Sequence, residues 1–301
     1  MKNLTEYLLE NLLLMEGGKA VSGTPMTQPQ TKEVYKDVEQ KFLPKLGLTA
    51  DGVDHCVLGS FGKKADEQTS GDIDIAVSLD VVAAHLGVSL EDVEKAIVEI
   101  CDKEDIYYKW GKGIHVISMS WPIPGTDNLY GQVDIMPTHS LDFSKWMYYS
   151  PDFRIAESKY KGLYRNQLIM AIARMAYKNV LKTTDEGDVV EYDTYVMRLH
   201  KGLSKVTKSF QGKKGLLKNE KTLKDSEDLI SNTPEWIVKY LLGEDVSVNQ
   251  SMTFESVYKI FMSDSFPHKD KRDIIIKKFL DEIVGTFPVP SEVSDDWAQY
   301  L

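Results

Sequence analysis

Three aspartates lie among apolar residues on predicted strands. Asp72 and Asp74 are separated by one isoleucine, and Asp134 follows sixty residues later between Val133 and Ile135. Alternate residues of a strand face the same side, about 7 Å apart, so Asp72 and Asp74 point together. Close carboxylates repel each other unless cations lie between them. If the strand of Asp134 is a neighbour, the set predicts a site for two Mg²⁺ ions about 3.5–4 Å apart, with Mn²⁺ as the alternative metal.

A structural interpretation competes with this one, because acids alternate with apolar residues on any half-solvated strand. The preceding turn favours the functional interpretation. Gly59 and Ser60 end a strand predicted over residues 55–60, and a turn and short helix are predicted next, where backbone N–H groups and a hydroxyl can receive a phosphate. Lys63 adds positive charge, and Gly71, directly before the acids, lets a backbone or a ligand come close.

The stretch LGSFGKKADEQTSGDIDIAV at residues 58–77 and the later YGQVDIMP strand resemble the signature of the DNA polymerase β-like nucleotidyltransferase superfamily. That signature is Gly-Ser, then Asp-hydrophobic-Asp, then a distant hydrophobic-Asp-hydrophobic strand. The likeness is greatest to the palm of family X DNA polymerases, whose motif begins Gly-Ser-Phe and ends Ser-Gly-Asp-hydrophobic-Asp. It covers residues 57–149.

The resemblance implies a role for each matched residue. Asp72 and Asp74 would each contact both ions, and Asp134 would serve the ion that activates the attacking hydroxyl. Ser60 and Lys63 would hold the β- and γ-phosphates of a nucleoside triphosphate.

Two tyrosines, Tyr148 and Tyr149, lie where family X carries an aromatic pair that packs on the incoming nucleotide. Ordinary packing at a domain junction is the alternative. The chain also departs from the family pattern. Gly62 stands where a basic residue is usual, and Lys63 stands where an arginine is usual, so the bidentate fork of arginine is missing. Residues 1–50 lack the glycine hairpins of that family's DNA-binding module.

Composition fits a soluble globular protein, with 42% hydrophobic and 27% charged residues. The net charge of −10 argues against non-specific binding of nucleic acid by the whole surface. Cys56 and Cys101 have no metal-binding spacing.

No apolar run approaches the length of a membrane span. The helix predicted over residues 3–15 carries Glu6 and Glu10, unlike the apolar region of a secretory signal. We therefore expect a cytoplasmic protein without membrane contact.

The predicted elements of the first half indicate an α+β fold. The strands predicted there cover residues 55–60, 72–79, 106–110, 114–121 and 131–136. With a helix ending near Lys103, they assemble most simply into a mixed, mostly antiparallel sheet with helices on one face. We expect this nucleotidyltransferase palm, the catalytic domain, over residues 51–150.

Helices are predicted on both sides of that domain. Residues 1–50 form N-terminal helices and a linker, and Thr31 is a candidate cap for a helix that runs to about Phe42. Residues 151–301 are expected to form a mainly helical C-terminal domain with one hairpin over residues 183–197. The later helices are predicted near residues 234–242, 253–263 and 271–284.

The segment at residues 198–224 is the most basic part of the chain, with nine lysines or arginines and one acid. A solvated face is the more common fate of such a run. The functional interpretation is contact with a nucleic-acid backbone. The lysines predicted to make that contact are Lys205, Lys208, Lys213 and Lys214.

These observations predict a metal-dependent nucleotidyltransferase, in which an acceptor hydroxyl attacks the α-phosphorus of a nucleoside triphosphate and pyrophosphate leaves. The expected acceptor is a nucleic-acid 3′ end, as for a family X DNA polymerase or a terminal transferase. A tRNA, a protein or a small molecule is the alternative, as for nucleotidyltransferase toxins and antibiotic-modifying enzymes. A second alternative is a non-catalytic nucleotide-binding module on the same scaffold.

Overall fold

The computed structural model describes residues 20–183, 189–211, 221–284, 287–294 and 296–297. The chain is α+β and divides into two units, Met1–Lys159 and Tyr160–Leu301. The helix predicted over residues 3–15 lies outside the described residues. None of the described helices combines the length and the apolar character needed to cross a membrane.

The first unit contains a five-stranded sheet, a small two-stranded sheet and flanking helices. Its strands are β1 (Met26–Thr27), β2 (His55–Val57), β3 (Thr69–Ser70), β4 (Asp72–Ser78), β5 (Tyr108–Gly111), β6 (Val116–Pro122) and β7 (Tyr130–Thr138). Its helices are α1 (Gln28–Lys41), α2 (Leu79–Leu86), α3 (Val93–Lys103) and α4 (Leu141–Met147). Short 3₁₀ turns cover Leu43–Leu46, Leu90–Asp92 and Phe153–Ile155.

The large sheet has the strand order β2-β4-β7-β6-β5. The central pair, β4 and β7, is parallel, and the other three pairs are antiparallel. The α+β class and the mixed sheet are therefore as predicted. β1 and β3 pair separately, with Met26 opposite Ser70.

Alternation along β4 decides which side each residue faces. Ile73 and Ile75 are buried in the main core of the unit, which also receives residues of α1, α2 and α3. Asp72 and Asp74 therefore face the opposite side of the sheet. Because Val34 of α1 belongs to the same core, the residues before the sheet are part of its packing.

The aspartate side of the sheet also carries a helix, so the prediction of helices on one face is wrong for α4. Ala76 of β4 and Met136 of β7 lie two residues beyond an aspartate, on the same side, and both are buried. Leu141 of α4 packs against them. Beyond the acids, both strands continue with apolar residues on this side of the sheet, and α4 shields these residues from water.

The start of α1 also differs from the prediction, because Thr27 and not Thr31 is the N-cap. The Thr27 hydroxyl accepts a hydrogen bond from the Gln30 backbone N–H, and the Gln30 side chain accepts one from the Thr27 backbone N–H. This reciprocal pair is a capping box. Thr31 lies within the helix, where its hydroxyl donates to the Gln28 carbonyl at 2.8 Å.

The second unit combines helices with a four-stranded antiparallel sheet of order β11-β10-β9-β8. Its elements are α5 (Gly162–Ala176), β8 (Asn179–Thr183), β9 (Val189–Arg198), β10 (Gly202–Gln211), β11 (Lys221–Ser231), α6 (Pro234–Leu242), α7 (Phe254–Met262), α8 (Arg272–Ile283) and α9 (Ser291–Ser294). Short 3₁₀ turns cover Asn249–Ser251 and Lys269–Lys271.

The prediction of a mainly helical region after residue 150 is therefore incomplete, although the three later helices lie where they were predicted. The described part of the basic segment, residues 198–211 and 221–224, lies largely in β10 and the adjoining ends of β9 and β11. Ser204 and Val206 of β10 are buried, and Lys205 between them is half-exposed. Because Ser204 on the buried face is polar, the sequence of β10 does not show the alternation of apolar residues that predicts a strand.

Candidate metal centre

Three carboxylates come together where the two parallel strands meet. Asp74 of β4 lies directly opposite Asp134 of β7. One carboxylate oxygen from each of Asp72, Asp74 and Asp134 lies within 4.8 Å of the other two. Asp134 is only 3% exposed, so a half-solvated strand does not explain it. Strand pairing has collected acids that are sixty residues apart in the sequence.

The proximity of these acids is electrostatically unfavourable without a cation. Two ionised carboxylates at 4.8 Å repel by about 3 kcal/mol at an effective dielectric constant of about 20. Burial raises the pKa of Asp74 well above its ordinary value, and the charges of Asp72 and Asp134 raise it further. Burial, with the charge of Asp72, raises the pKa of Asp134 to about 7. Three carboxylates, of which Asp134 is buried and Asp72 and Asp74 are half-buried, form a donor set that suits a hard divalent cation such as Mg²⁺ or Mn²⁺.

Gln132 and Ser118 also contact this group, and the sequence interpretation missed both. The Gln132 Nε2 donates to both oxygens of Asp134, at 3.0 Å each. A hydrogen bond with Ser118, which lies opposite Asp134 on β6, also acts to lower the pKa of Asp134. The spacing of Gln132 and Asp134 could have predicted this contact, because residues two apart on a strand share a face.

Gly59 lies against Asp74, so that a side chain at this position would displace the Asp74 carboxylate. The Leu58 backbone N–H donates to the Asp74 carbonyl at 2.9 Å, which holds this turn beside β4. Gly59 has a φ of +64°. A Cβ on Gly59 would lie 2.9 Å from Asp74 Oδ2. Both the left-handed backbone and the close approach therefore require glycine here.

The loop that follows contains no helix, so the short helix predicted there is wrong. Residues 58–71 are all described and contain turns and the short strand β3. The Lys63 backbone N–H donates to the Ser60 carbonyl at 3.0 Å, and Gly62 at φ +66° turns the chain out of helical conformation. Gly71 joins β3 to β4. Backbone groups offered to a phosphate would come from this turn and not from a helix N-terminus.

Lys63 is tied to another part of the first unit. Its Nζ donates to the Ser150 carbonyl at 2.6 Å and lies 4.2 Å from the centre of the Tyr149 ring. Burial lowers the pKa of Lys63, and the nearby Glu157 and Asp152 oppose that shift. To hold a phosphate, the ammonium would have to exchange the Ser150 carbonyl for the phosphate oxygen. That role stays a prediction.

The two tyrosines differ in their surroundings. Tyr148 packs against a small core cluster on the aspartate side of the sheet, which includes Leu58 and Met136. Burial raises the pKa of Tyr148, and the charges of the nearby acids add to the effect. The Tyr149 hydroxyl donates to Glu157 Oε1 at 2.5 Å. Tyr148 is therefore a packing residue beside the acids, and the predicted contact of both tyrosines with a nucleotide is untested.

The basic segment is partly neutralised within the second unit. Arg198 Nη2 lies 2.8 Å from Glu227 Oε2, and Lys201 Nζ lies 3.6 Å from Glu227 Oε1. Lys205 Nζ lies 2.7 Å from Asp193 Oδ2. Antiparallel pairing brings these acids from β9 and β11 next to the cations of the segment. A count over consecutive residues therefore overstates its positive charge.

The other lysines predicted to contact nucleic acid divide into two groups. Lys208 is half-exposed on β10. Lys213 and Lys214 lie outside the described residues. Contact between this segment and a nucleic-acid backbone stays a prediction.

No protein-family model matches this sequence, and no curated protein matches it. The likeness to the DNA polymerase β-like superfamily therefore depends on the motif residues alone. The geometry of the three carboxylates, by contrast, is an observation on this chain.

Proposed function

We propose that this chain is a metal-dependent nucleotidyltransferase that transfers a nucleoside monophosphate, ribo or deoxy, from a nucleoside triphosphate to an acceptor hydroxyl. The observation that supports the proposal most strongly is the convergence of Asp72, Asp74 and Asp134 on two adjacent parallel strands. The Gly59–Ser60 turn beside them supports it further, because a side chain at Gly59 would fill the space next to Asp74. In this proposal the first unit is a nucleotidyltransferase palm.

The proposed roles are those that the resemblance to the superfamily implies, and the chemistry of the side chains is compatible with them. The three aspartates would hold two divalent cations, which activate the attacking hydroxyl and neutralise the charge on the departing pyrophosphate. The reaction forms a bond between the acceptor oxygen and the α-phosphorus. It breaks the bond between the α-phosphorus and the oxygen that bridges to the β-phosphate, so that pyrophosphate leaves. Ser60 and Lys63 are proposed to hold the β- and γ-phosphates. Catalysis of this kind depends on positioning and charge neutralisation and not on a covalent step with the protein.

The identity of the acceptor depends on the basic segment of the second unit. Asp193 and Glu227 form ion pairs with three cations of the basic segment and lower its net positive charge, which weakens the argument for a nucleic-acid 3′ end. The proposal is therefore centred on nucleotide transfer to a hydroxyl. A nucleic-acid end is the first acceptor to be tested, and tRNA, protein and small-molecule hydroxyls are tested in parallel.

The test incubates the full chain and Mg²⁺ with each labelled nucleoside and deoxynucleoside triphosphate, against DNA, RNA, protein and small-molecule acceptors. We expect label transfer and pyrophosphate release that EDTA abolishes. Asp74→Ala should fold and lose the activity. Asp142→Ala, at an exposed aspartate of the same unit, is the matched control and should retain it.

Two results would contradict the proposal. Pyrophosphate release that persists in Asp74→Ala would show that the site is not the one proposed. Calorimetric binding of a non-hydrolysable triphosphate without any need for Mg²⁺, together with no transfer to any acceptor, would favour a non-catalytic nucleotide-binding module.

A further inference from the structure

Gln132 joins the candidate metal centre to a distant part of the chain. It lies two residues before Asp134 on β7 and is 1% exposed. Its Nε2 donates to both oxygens of Asp134, and its Oε1 accepts from the backbone N–H groups of Ala20 at 3.0 Å and Val21 at 3.3 Å. A backbone N–H can only donate and an ionised carboxylate can only accept, so these partners fix the orientation of the amide.

The chain around Ala20 and Val21 is docked at two places in the first unit. We call residues 20–27 the bracing segment. The Thr24 backbone N–H donates to the Tyr130 carbonyl of β7 at 2.7 Å. The fully buried Met26 pairs with Ser70 of β3, directly before β4. The bracing segment therefore lies alongside β7 and next to the start of β4, the two strands that carry the aspartates.

We propose that Gln132 is a positioning residue that couples docking of the bracing segment to the orientation of the Asp134 carboxylate for a divalent cation. The inference rests on the proposed function only in taking the three aspartates as cation ligands. A neutral amide suits this role, because it orients the carboxylate without cancelling its negative charge. A lysine or arginine in the same place would compete with the cation. Partners of this kind typically contribute about 10–100-fold to metal affinity.

The first test measures Mn²⁺ binding to the full chain by electron paramagnetic resonance. Gln132→Met keeps the length of the side chain and removes its hydrogen bonds. We expect its Kd for Mn²⁺ to rise by about 10–100-fold. Thr31→Val is the matched control, since it removes a buried hydrogen bond in the same unit that does not touch the aspartates. Its Kd should equal that of the wild type, whatever its loss of stability.

The second test perturbs the bracing segment and leaves β7 unchanged. Ala20→Pro removes one N–H donor to Gln132, and we expect about a fivefold rise in the Kd for Mn²⁺, the equivalent of one hydrogen bond. Ser22→Ala changes the neighbouring exposed residue, keeps the N–H groups of Ala20 and Val21 in place and should leave the Kd unchanged. Circular dichroism and urea unfolding identify the folded variants. This pair also decides the matter if Gln132→Met does not fold.

The inference is overturned if folded Gln132→Met binds Mn²⁺ within twofold of the wild type, or if folded Ala20→Pro does. It is also overturned if the wild type binds no Mn²⁺, and the proposed function then fails with it. If the wild type binds Mn²⁺, Gln132→Met weakens that binding and no nucleotide is transferred, the inference stands and the proposed function fails.

Discussion

Replacement of one buried acid should stabilise the metal-free protein, and Asp134→Asn tests this most directly. The ordinary pKa of the Asp134 carboxyl is 3.8, and in the folded chain it rises to about 7. A group whose pKa is higher in the folded state contributes stability below its unfolded pKa, and that stability is lost as pH rises through the folded value. Each pKa unit corresponds to about 1.4 kcal/mol, so the total loss is about 4 kcal/mol.

Most of that loss falls within a pH range that is easy to measure. Between pH 5 and pH 8 the wild type should lose about 3 kcal/mol relative to Asp134→Asn, because asparagine does not ionise. If a hydrogen bond with Gln132 or Ser118 weakens in the variant, its free energy of unfolding falls by about 1 kcal/mol, which offsets part of the stabilisation. We therefore expect Asp134→Asn to be about 2–3 kcal/mol more stable than the wild type at pH 8 in EDTA.

The assay is urea unfolding in EDTA at several pH values, followed by tryptophan fluorescence. Asp142→Asn controls for the loss of one negative charge at an exposed position of the same unit. Mg²⁺ should stabilise the wild type at pH 8 and should stabilise Asp134→Asn much less, because a bound ligand stabilises only the state that binds it. A difference between wild type and variant that does not change with pH would refute the argument from burial and like charge.

Three further predictions concern the residues around the acids and the basic segment. Gly59→Ala should lower the free energy of unfolding by about 1–2 kcal/mol through its left-handed backbone, and it should weaken Mn²⁺ binding because the new methyl meets Asp74. Urea unfolding and a Mn²⁺ titration measure the two effects, and an unchanged Mn²⁺ affinity would contradict the second. Lys63→Met should cost about 1–2 kcal/mol of stability in urea unfolding without nucleotide, since it removes a charged hydrogen bond to a backbone carbonyl; a variant as stable as the wild type would show that this contact is not formed in solution. Reversing the charge of Lys213 and Lys214 together should reduce transfer to oligonucleotides and leave transfer to small acceptors unchanged, as measured by labelled-nucleotide transfer. Activity on oligonucleotides equal to that of the wild type would count against a polymer substrate.

Elements with a strong local pattern were predicted well. β4 alternates acids with isoleucines, and the structure buries Ile73 and Ile75 while it turns Asp72 and Asp74 to the other side. Helix α3 and the three later helices also lie close to their predicted positions. In each case the periodicity of apolar residues is a local property of the chain.

Elements without such a pattern were missed or misplaced. The helix expected after Gly59 and Ser60 does not form, because Gly62 adopts a positive φ in a tight turn. The hairpin predicted over residues 183–197 corresponds to β8 and β9, but β10 was missed because Ser204, a polar residue, faces its buried side. Helix α4 was missed because its seven residues, about two turns, are too few to show a helical period.

The sequence alone determined that Asp72 and Asp74 share one face of a strand and that a glycine-containing turn precedes them, since both follow from backbone geometry over a few residues. Only the tertiary structure decided that Asp134 joins them, that Gln132 reaches back to Ala20 and that acids of other strands form ion pairs with some cations of the basic segment. These contacts depend on which strands pair and in what register. Strands pair when the packing of the whole unit outweighs the entropy lost in closing the long loops between them. The spacing of residues along the sequence does not reveal which pairs form.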